Sequence, residues 1–279
     1  MDSALDGATL ESLTAPVQFT LKDSETPIAK VHQPGQGPDD RTGAFVEREI
    51  LIHNGRPTAD QLDLDREGYL FMRHDTAVKD LYDHDEVRRD YYPEMEALIK
   101  QVTGCSKVVV FDHTPRIDDR SAQGKNNVRG PATIVHNDFT IESAAQRVRD
   151  LLPPDEAEAR LKKRFGSINV WRPIRGPVQT SPLMICGWGD LEDDDMIVSE
   201  RHYPDGRVGR ILHVAYNPEQ RWQYFPHMQR EEVVVLKCFD SLDDGTARWT
   251  AHGSFQPPNL PADAPPRESI EIRSMYFFD

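Results

Sequence analysis

From Phe165 to the C-terminus the chain reads as one short strand after another, and this most narrows the folds open to it. Candidate strands cover 167–173, 182–188, 209–217, 222–225, 232–239, 247–255 and 268–278. Turn sequences such as Pro204-Asp205-Gly206 and Asp243-Asp244-Gly245 separate some of them. Many short strands at close spacing bury their apolar faces only in a sandwich or a barrel. Upstream, Val17 to Leu21 alternates and 49–53 reads as a second strand. A helix is expected after Asp83 or Asp85, with Val87, Tyr91, Met95, Leu98 and Ile99 at helical spacing and Gly104 at its end. A buried strand follows over 107–111, another over 132–138, and helices over 141–152 and 154–164. The stretches 34–40 and 117–130 read as loops, the second a lid or plain disorder. The acidic run 192–195 reads as a solvated turn. The expected fold is mainly β with a helical layer (α+β). We expect one domain over 1–279: an N-terminal extension (1–44), N-terminal strands and helix (45–130), and a β core (131–279).

Composition removes several functions. The 279 residues carry a formal charge of -14, which argues against binding nucleic-acid phosphates. No run approaches the roughly 18 apolar residues of a membrane span, so no membrane partner is expected. Residues 1–6 are acidic and lack the apolar stretch of a secretory signal. Three cysteines without a C-x-x-C pair read as reduced core thiols, hence a cytoplasmic protein. No glycine-rich turn of the G-x-G type leads from a strand into a helix, so a methyltransferase lacks support.

The chemistry concentrates in His136-Asn137-Asp138. In a strand, positions i and i+2 point to one side, so His136 and Asp138 can reach one cation together. A second histidine from a neighbouring strand completes a two-histidine, one-carboxylate face, which suits non-haem Fe(II) and leaves three positions open. His252 is our choice for the third ligand and His213 the rival. Beyond His252, Arg267 and Ser269 share a strand face. A guanidinium fork with one hydroxyl matches the far carboxylate of 2-oxoglutarate, whose keto-acid end would chelate iron beside O₂. Arg273 lies on the same face and is the alternative anchor.

The ordered blocks 110–116, 135–138, 169–174, 237–241, 251–255 and 267–273 resemble the AsaB-like hydroxylase/desaturase family of Fe(II)/2-oxoglutarate-dependent oxygenases, with its gibberellin desaturase-like and CmcJ-like members. The resemblance spans about residue 45 to the C-terminus. It implies a double-stranded β-helix (jelly-roll, cupin-like) core, Fe(II), 2-oxoglutarate and O₂, and puts the metal ligands on His136, Asp138 and His252. It also implies oxidation of a small secondary metabolite by hydroxylation, desaturation or ring closure. One departure is Gly253, where the family pattern leads us to expect threonine. Asn169 is expected near the cosubstrate, and His113, Arg116, Trp171, Arg172 and Tyr224 near the substrate. Two other readings stand beside this one: a non-catalytic β-sandwich binding module, and a zinc hydrolase on the same triad.

Overall fold

The structure, a computed structural model, describes residues 12–32, 39–119 and 128–279. Most of the 34–40 loop and of the 117–130 loop therefore lies outside the described residues. The first strands are β1 (Leu13–Thr20), β2 (Ile28–Lys30), β3 (Asp40–Arg41), β4 (Phe45–Asn54), β5 (Tyr69–Arg73), β6 (Lys107–Ile117) and β7 (His136–Asn137). After them come β8 (Phe165–Arg175), β9 (Leu183–Cys186), β10 (Met196–His202), β11 (Val208–Val214), β12 (Trp222–Tyr224), β13 (Glu232–Asp240), β14 (Ala251–Ser254) and β15 (Glu268–Phe277). The helices are α1 (His84–Glu86), α2 (Tyr92–Thr103), α3 (Ile141–Leu151) and α4 (Pro154–Arg160).

The strands form two sheets of a mainly β jelly roll. The larger has the order β1-β4-β12-β9-β14-β7-β11-β10-β2-β3, the smaller β5-β13-β8-β15-β6. An apolar layer with Trp171, Leu183, Ile185, Val234, Leu236 and Met275 lies between them. The other face of the smaller sheet is covered by Met95, Leu98 and Ile99 of α2, packed on Val170, Val235, Ile270 and Ile272. The other face of the larger sheet is covered by Ala15, Val17 and Phe19 of β1, which meet Val135, Met184 and Ala251. Residues 1–44, expected as an extension, thus supply β1, β2 and β3 to the larger sheet.

The helical layer follows its sequence signals. The Asp83 carboxylate accepts from the Asp85 and Glu86 N–H groups and opens α1. Residues 87–91 make a wider turn that carries the chain into α2. Gly104, at φ 72°, closes α2 in the left-handed region that glycine tolerates. Among the described residues no helix is long and apolar enough to cross a membrane.

Three elements differ from expectation. The strand expected over 132–138 is regular only at His136–Asn137, because both side chains take nearby carbonyls: His136 Nδ1 bonds Ile134 O, and Asn137 Nδ2 bonds Phe139 O. The acidic run 192–195 is not all solvated: Asp195 is buried and accepts from Asn217 and Gln220. β10 follows it directly, a strand missing from the sequence reading.

Candidate metal centre

β7 and β14 are adjacent and antiparallel, with His136 directly opposite His252. Their ring centroids lie 4.5 Å apart. Asp138 follows β7, and its Oδ1 stands 3.6 Å from His136 Nε2. One ligand atom from each of His136, Asp138 and His252 lies within 4.8 Å of the other two. Three donors at about 2 Å from a single ion stand at most about 4 Å apart, so a closure of roughly 1 Å would bring all three onto one ion.

The surroundings prepare each group. The Ile134 carbonyl can only accept, so His136 Nδ1 carries the proton and Nε2 keeps its lone pair toward Asp138. Asp138 Oδ2 accepts from Asn169 Nδ2 at 2.8 Å and from Arg273 Nε at 3.2 Å. Its other oxygen, Oδ1, is left for the histidine side. Burial raises the Asp138 pKa, but Arg273, the two histidines and the Asn169 bond outweigh it, holding the carboxyl well below the usual range. Burial, then the facing His252, pushes His136 well below its ordinary value. Burial likewise lowers His252, offset in part by Asp138 and Glu271. Both imidazoles are therefore neutral near pH 7, as ligation requires.

A second cluster sits where Ser269 pairs with Arg116 across β15 and β6. Arg267 is only 3% exposed. Its Nη1 donates to Ser181 O at 2.6 Å, and its backbone N–H to Thr180 Oγ1. Its Nε and Nη2, and the Ser269 hydroxyl, are buried with no hydrogen-bond partner. Leaving such donors dry costs about 1–3 kcal/mol each. Burial, aided by Arg116, depresses the Arg267 pKa to about 9. The cluster fits a carboxylate, which would satisfy all three donors and the charge at once. Trp171 lines it, with the Arg267 guanidinium 5.9 Å from its ring centroid. Arg116 lies on the same inner face and donates to Gly130 O.

Arg273 is differently placed. Besides Asp138 it pairs with Asp112 and Glu271 and donates to Thr114 Oγ1. Its donors are committed to protein groups around a metal ligand, a positioning role that the sequence does not reveal. Asn169, expected at the cosubstrate, spends its amide N–H on Asp138.

Three expected substrate contacts point elsewhere. His113 pairs with Ile272, on the α2 side of β6, and bonds to His84 and to the Tyr92 hydroxyl. Arg172 pairs with Ile270 on that same side, where it donates to Tyr91 Oη and Arg230 O and bonds His74 Nδ1. Tyr224 pairs with Met184, which pairs with Gly253, so it shares the face opposite His252. Its ring packs on Phe255 at 5.3 Å. In each case strand alternation selects the wrong side for the site. The rival ligand, His213, flanks His136 on the other side from His252 and bonds the Thr20 hydroxyl at 3.0 Å. The departure at Gly253 is a packing matter: a Cβ there would lie 3.1 Å from Val135 Cγ1.

Residues 17–277 match a family model described as "Oxidoreductase/YMDC permease-like domain". The chain is 30% identical over 255 residues to the hydroxylase/desaturase CTB9 of Cercospora beticola, covering 84% of this chain and 78% of that protein. It is 31% identical over 240 residues to the Fe(II)/2-oxoglutarate-dependent dioxygenase nvfI of Aspergillus novofumigatus, covering 84% of each. Among solved structures, the iron and alpha-ketoglutarate-dependent endoperoxidase NvfI superposes with a TM-score of 0.85 at 28% identity, over 97% of this chain and 99% of that one.

Proposed function

Because the chain belongs to the hydroxylase/desaturase family of Fe(II)/2-oxoglutarate-dependent oxygenases, we propose that His136, Asp138 and His252 hold its iron and that Arg267 and Ser269 anchor its cosubstrate. The protein is a non-haem Fe(II)/2-oxoglutarate-dependent dioxygenase that hydroxylates, desaturates or cyclises a small secondary metabolite. Bound Fe(II) with 2-oxoglutarate and O₂ supplies oxidative decarboxylation coupled to removal of hydrogen from an unactivated C–H bond.

The chain's own residues do the positioning. Asn169 and Arg273 occupy Asp138 Oδ2, so Asp138 would offer an ion its Oδ1 alone. The Ser181 carbonyl and Trp171 fix the Arg267 guanidinium, so its remaining donors meet a carboxylate without reorganising. Arg116 and Trp171 line the inner wall toward the substrate. Three buried thiols suit a reducing, cytoplasmic setting.

The single observation that carries this reading is the set of three buried, unpartnered donors on Arg267 and Ser269 behind a preformed triad. A dioxygenase of this family requires an occupant for those donors, the far carboxylate of 2-oxoglutarate, whereas zinc hydrolysis or simple binding does not. Anaerobic titration with Fe(II) and then 2-oxoglutarate should produce a visible charge-transfer band. His136→Ala and Asp138→Ala should abolish it. Arg267→Ala should weaken 2-oxoglutarate at least about tenfold while sparing iron. Arg273→Ala should instead weaken iron, through Asp138. The reverse pattern would move the anchor to Arg273.

A further inference from the structure

The register of the larger sheet places a second cationic group on the face that carries the triad. Directly opposed residues share a face. His252 opposes His136, and His136 opposes His213 on β11. Along β11, Gly209 lies four residues from His213 and hence on the same face, roughly 13 Å away. Gly209 opposes Arg201, Arg201 opposes Ala29, and Ala29 opposes Arg41. Arg201 and Arg41 thus flank one small residue, two strands apart, and both side chains turn toward the ligand-bearing face.

These arginines are poorly matched with negative charge. Arg201 Nε is buried and has no hydrogen-bond partner. Nearby carboxylates are engaged elsewhere: Glu200 with His202 and Arg210, Asp40 with His32. Arg41 is exposed and Arg201 partly buried, and the two guanidiniums stand close enough to repel each other, with Asp39 offsetting this in part at Arg41. Both guanidiniums lie close enough to His213 to act on it electrostatically. Phe45 meets the His213 ring at a tilt, with centroids 6.0 Å apart, and adds an apolar surface beside it.

We propose that Arg41 and Arg201 receive an anionic group, a carboxylate, on the organic substrate, and that Phe45 and His213 pack its carbon skeleton beside the triad. The substrate is then an organic acid whose reacting carbon lies on the order of 10 Å from its carboxylate. This rests on the iron and 2-oxoglutarate assignment above. It adds a second anion receptor, separate from the one at Arg267.

The test uses 2-naphthoate and 1-pyrenebutyrate, each beside its methyl ester, on full-length protein loaded anaerobically with Fe(II) and 2-oxoglutarate. Fluorescence anisotropy reads affinity, and the charge-transfer band reads the metal site. At least one acid should bind at least about tenfold tighter than its ester. Arg201→Met and Arg41→Met should each cut that preference to below about threefold and leave the band in place, whereas Arg201→Lys should retain it. Equal binding of acid and ester to the wild type, or an intact preference in Arg201→Met, would overturn the proposal. So would a loss of 2-oxoglutarate affinity in Arg201→Met, which would assign that arginine to the cosubstrate. Absence of the band in the wild type would instead strike the iron assignment.

Discussion

At Asp138 two effects oppose. Burial favours the protonated acid, while Arg273, the facing imidazoles and the Asn169 amide favour the anion, and the anion wins. At His136 and His252 burial favours the neutral ring, leaving each lone pair available. Proton competition at a ligand histidine begins only as pH falls through its folded-state pKa. Here that lies below the ordinary 6.5 for both rings. Affinity for Mn(II), a redox-quiet probe of this donor set, should therefore change by less than about twofold between pH 8 and 6.5. A tenfold fall across that window in an equilibrium titration would contradict the neutral-ligand picture.

At the scale of elements, Arg172 is the residue whose role changes most between sequence and structure. It is fully buried and ties the middle of β8 to Tyr91, His74 and the Arg230 carbonyl. Arg172→Met should cost about 3 kcal/mol, leaving polar partners dry, and lower Tm by about 5–10 °C. The charge-transfer band of the folded variant should persist, which a substrate- or metal-contact role for Arg172 does not require. The long strands and α2 were legible because alternation and helical spacing run through many residues, as in Val233–Leu236 on β13 and Met95–Ile99 on α2. The triad was legible because H-x-D at a strand end and a distant strand histidine leave a local trace. What was hidden depends on register. Whether His113 or Arg116 faces inward is decided by which residue of β15 stands opposite, and a shift of one position exchanges them. β10 was hidden because its exposed face carries charge and its strand begins directly after an acidic turn. β7 was expected too long because side-chain bonds to local carbonyls replace ladder bonds.

For the whole molecule, buried histidines and buried carboxylates act in separate pH windows. Burial, then His84, lowers His113 to about 4. Burial, with Arg201 and Arg41, lowers His213 to about 3. The unfolded chain takes up these protons first, so their contribution is complete above pH 6.5 and is lost as pH falls toward those values. Asp240 is fully buried, and burial raises its pKa, but Arg164, Lys237 and the Tyr276 hydroxyl hold it below the ordinary 3.8. Its contribution, like that of Asp138, is present above 3.8 and lost only below it. Urea unfolding of the metal-free protein should thus show stability falling by on the order of 2–5 kcal/mol between pH 7 and 4.5. His213→Asn should flatten that slope. A slope unchanged by the substitution would remove His213 from this account.

The brevity of β7 reaches further than its two residues. β15 and β8 face each other along their full length, whereas His136 and Asn137 join their neighbours through a handful of pairings. Such a seam opens at far lower free energy than the long ladders beside it. An ion gripped across it closes the seam like a clasp, joining β7 to β14 where the backbone alone does so weakly. Chelation should then unfasten that one stitch and leave the rest of the garment whole, so that the emptied protein takes the ion up again.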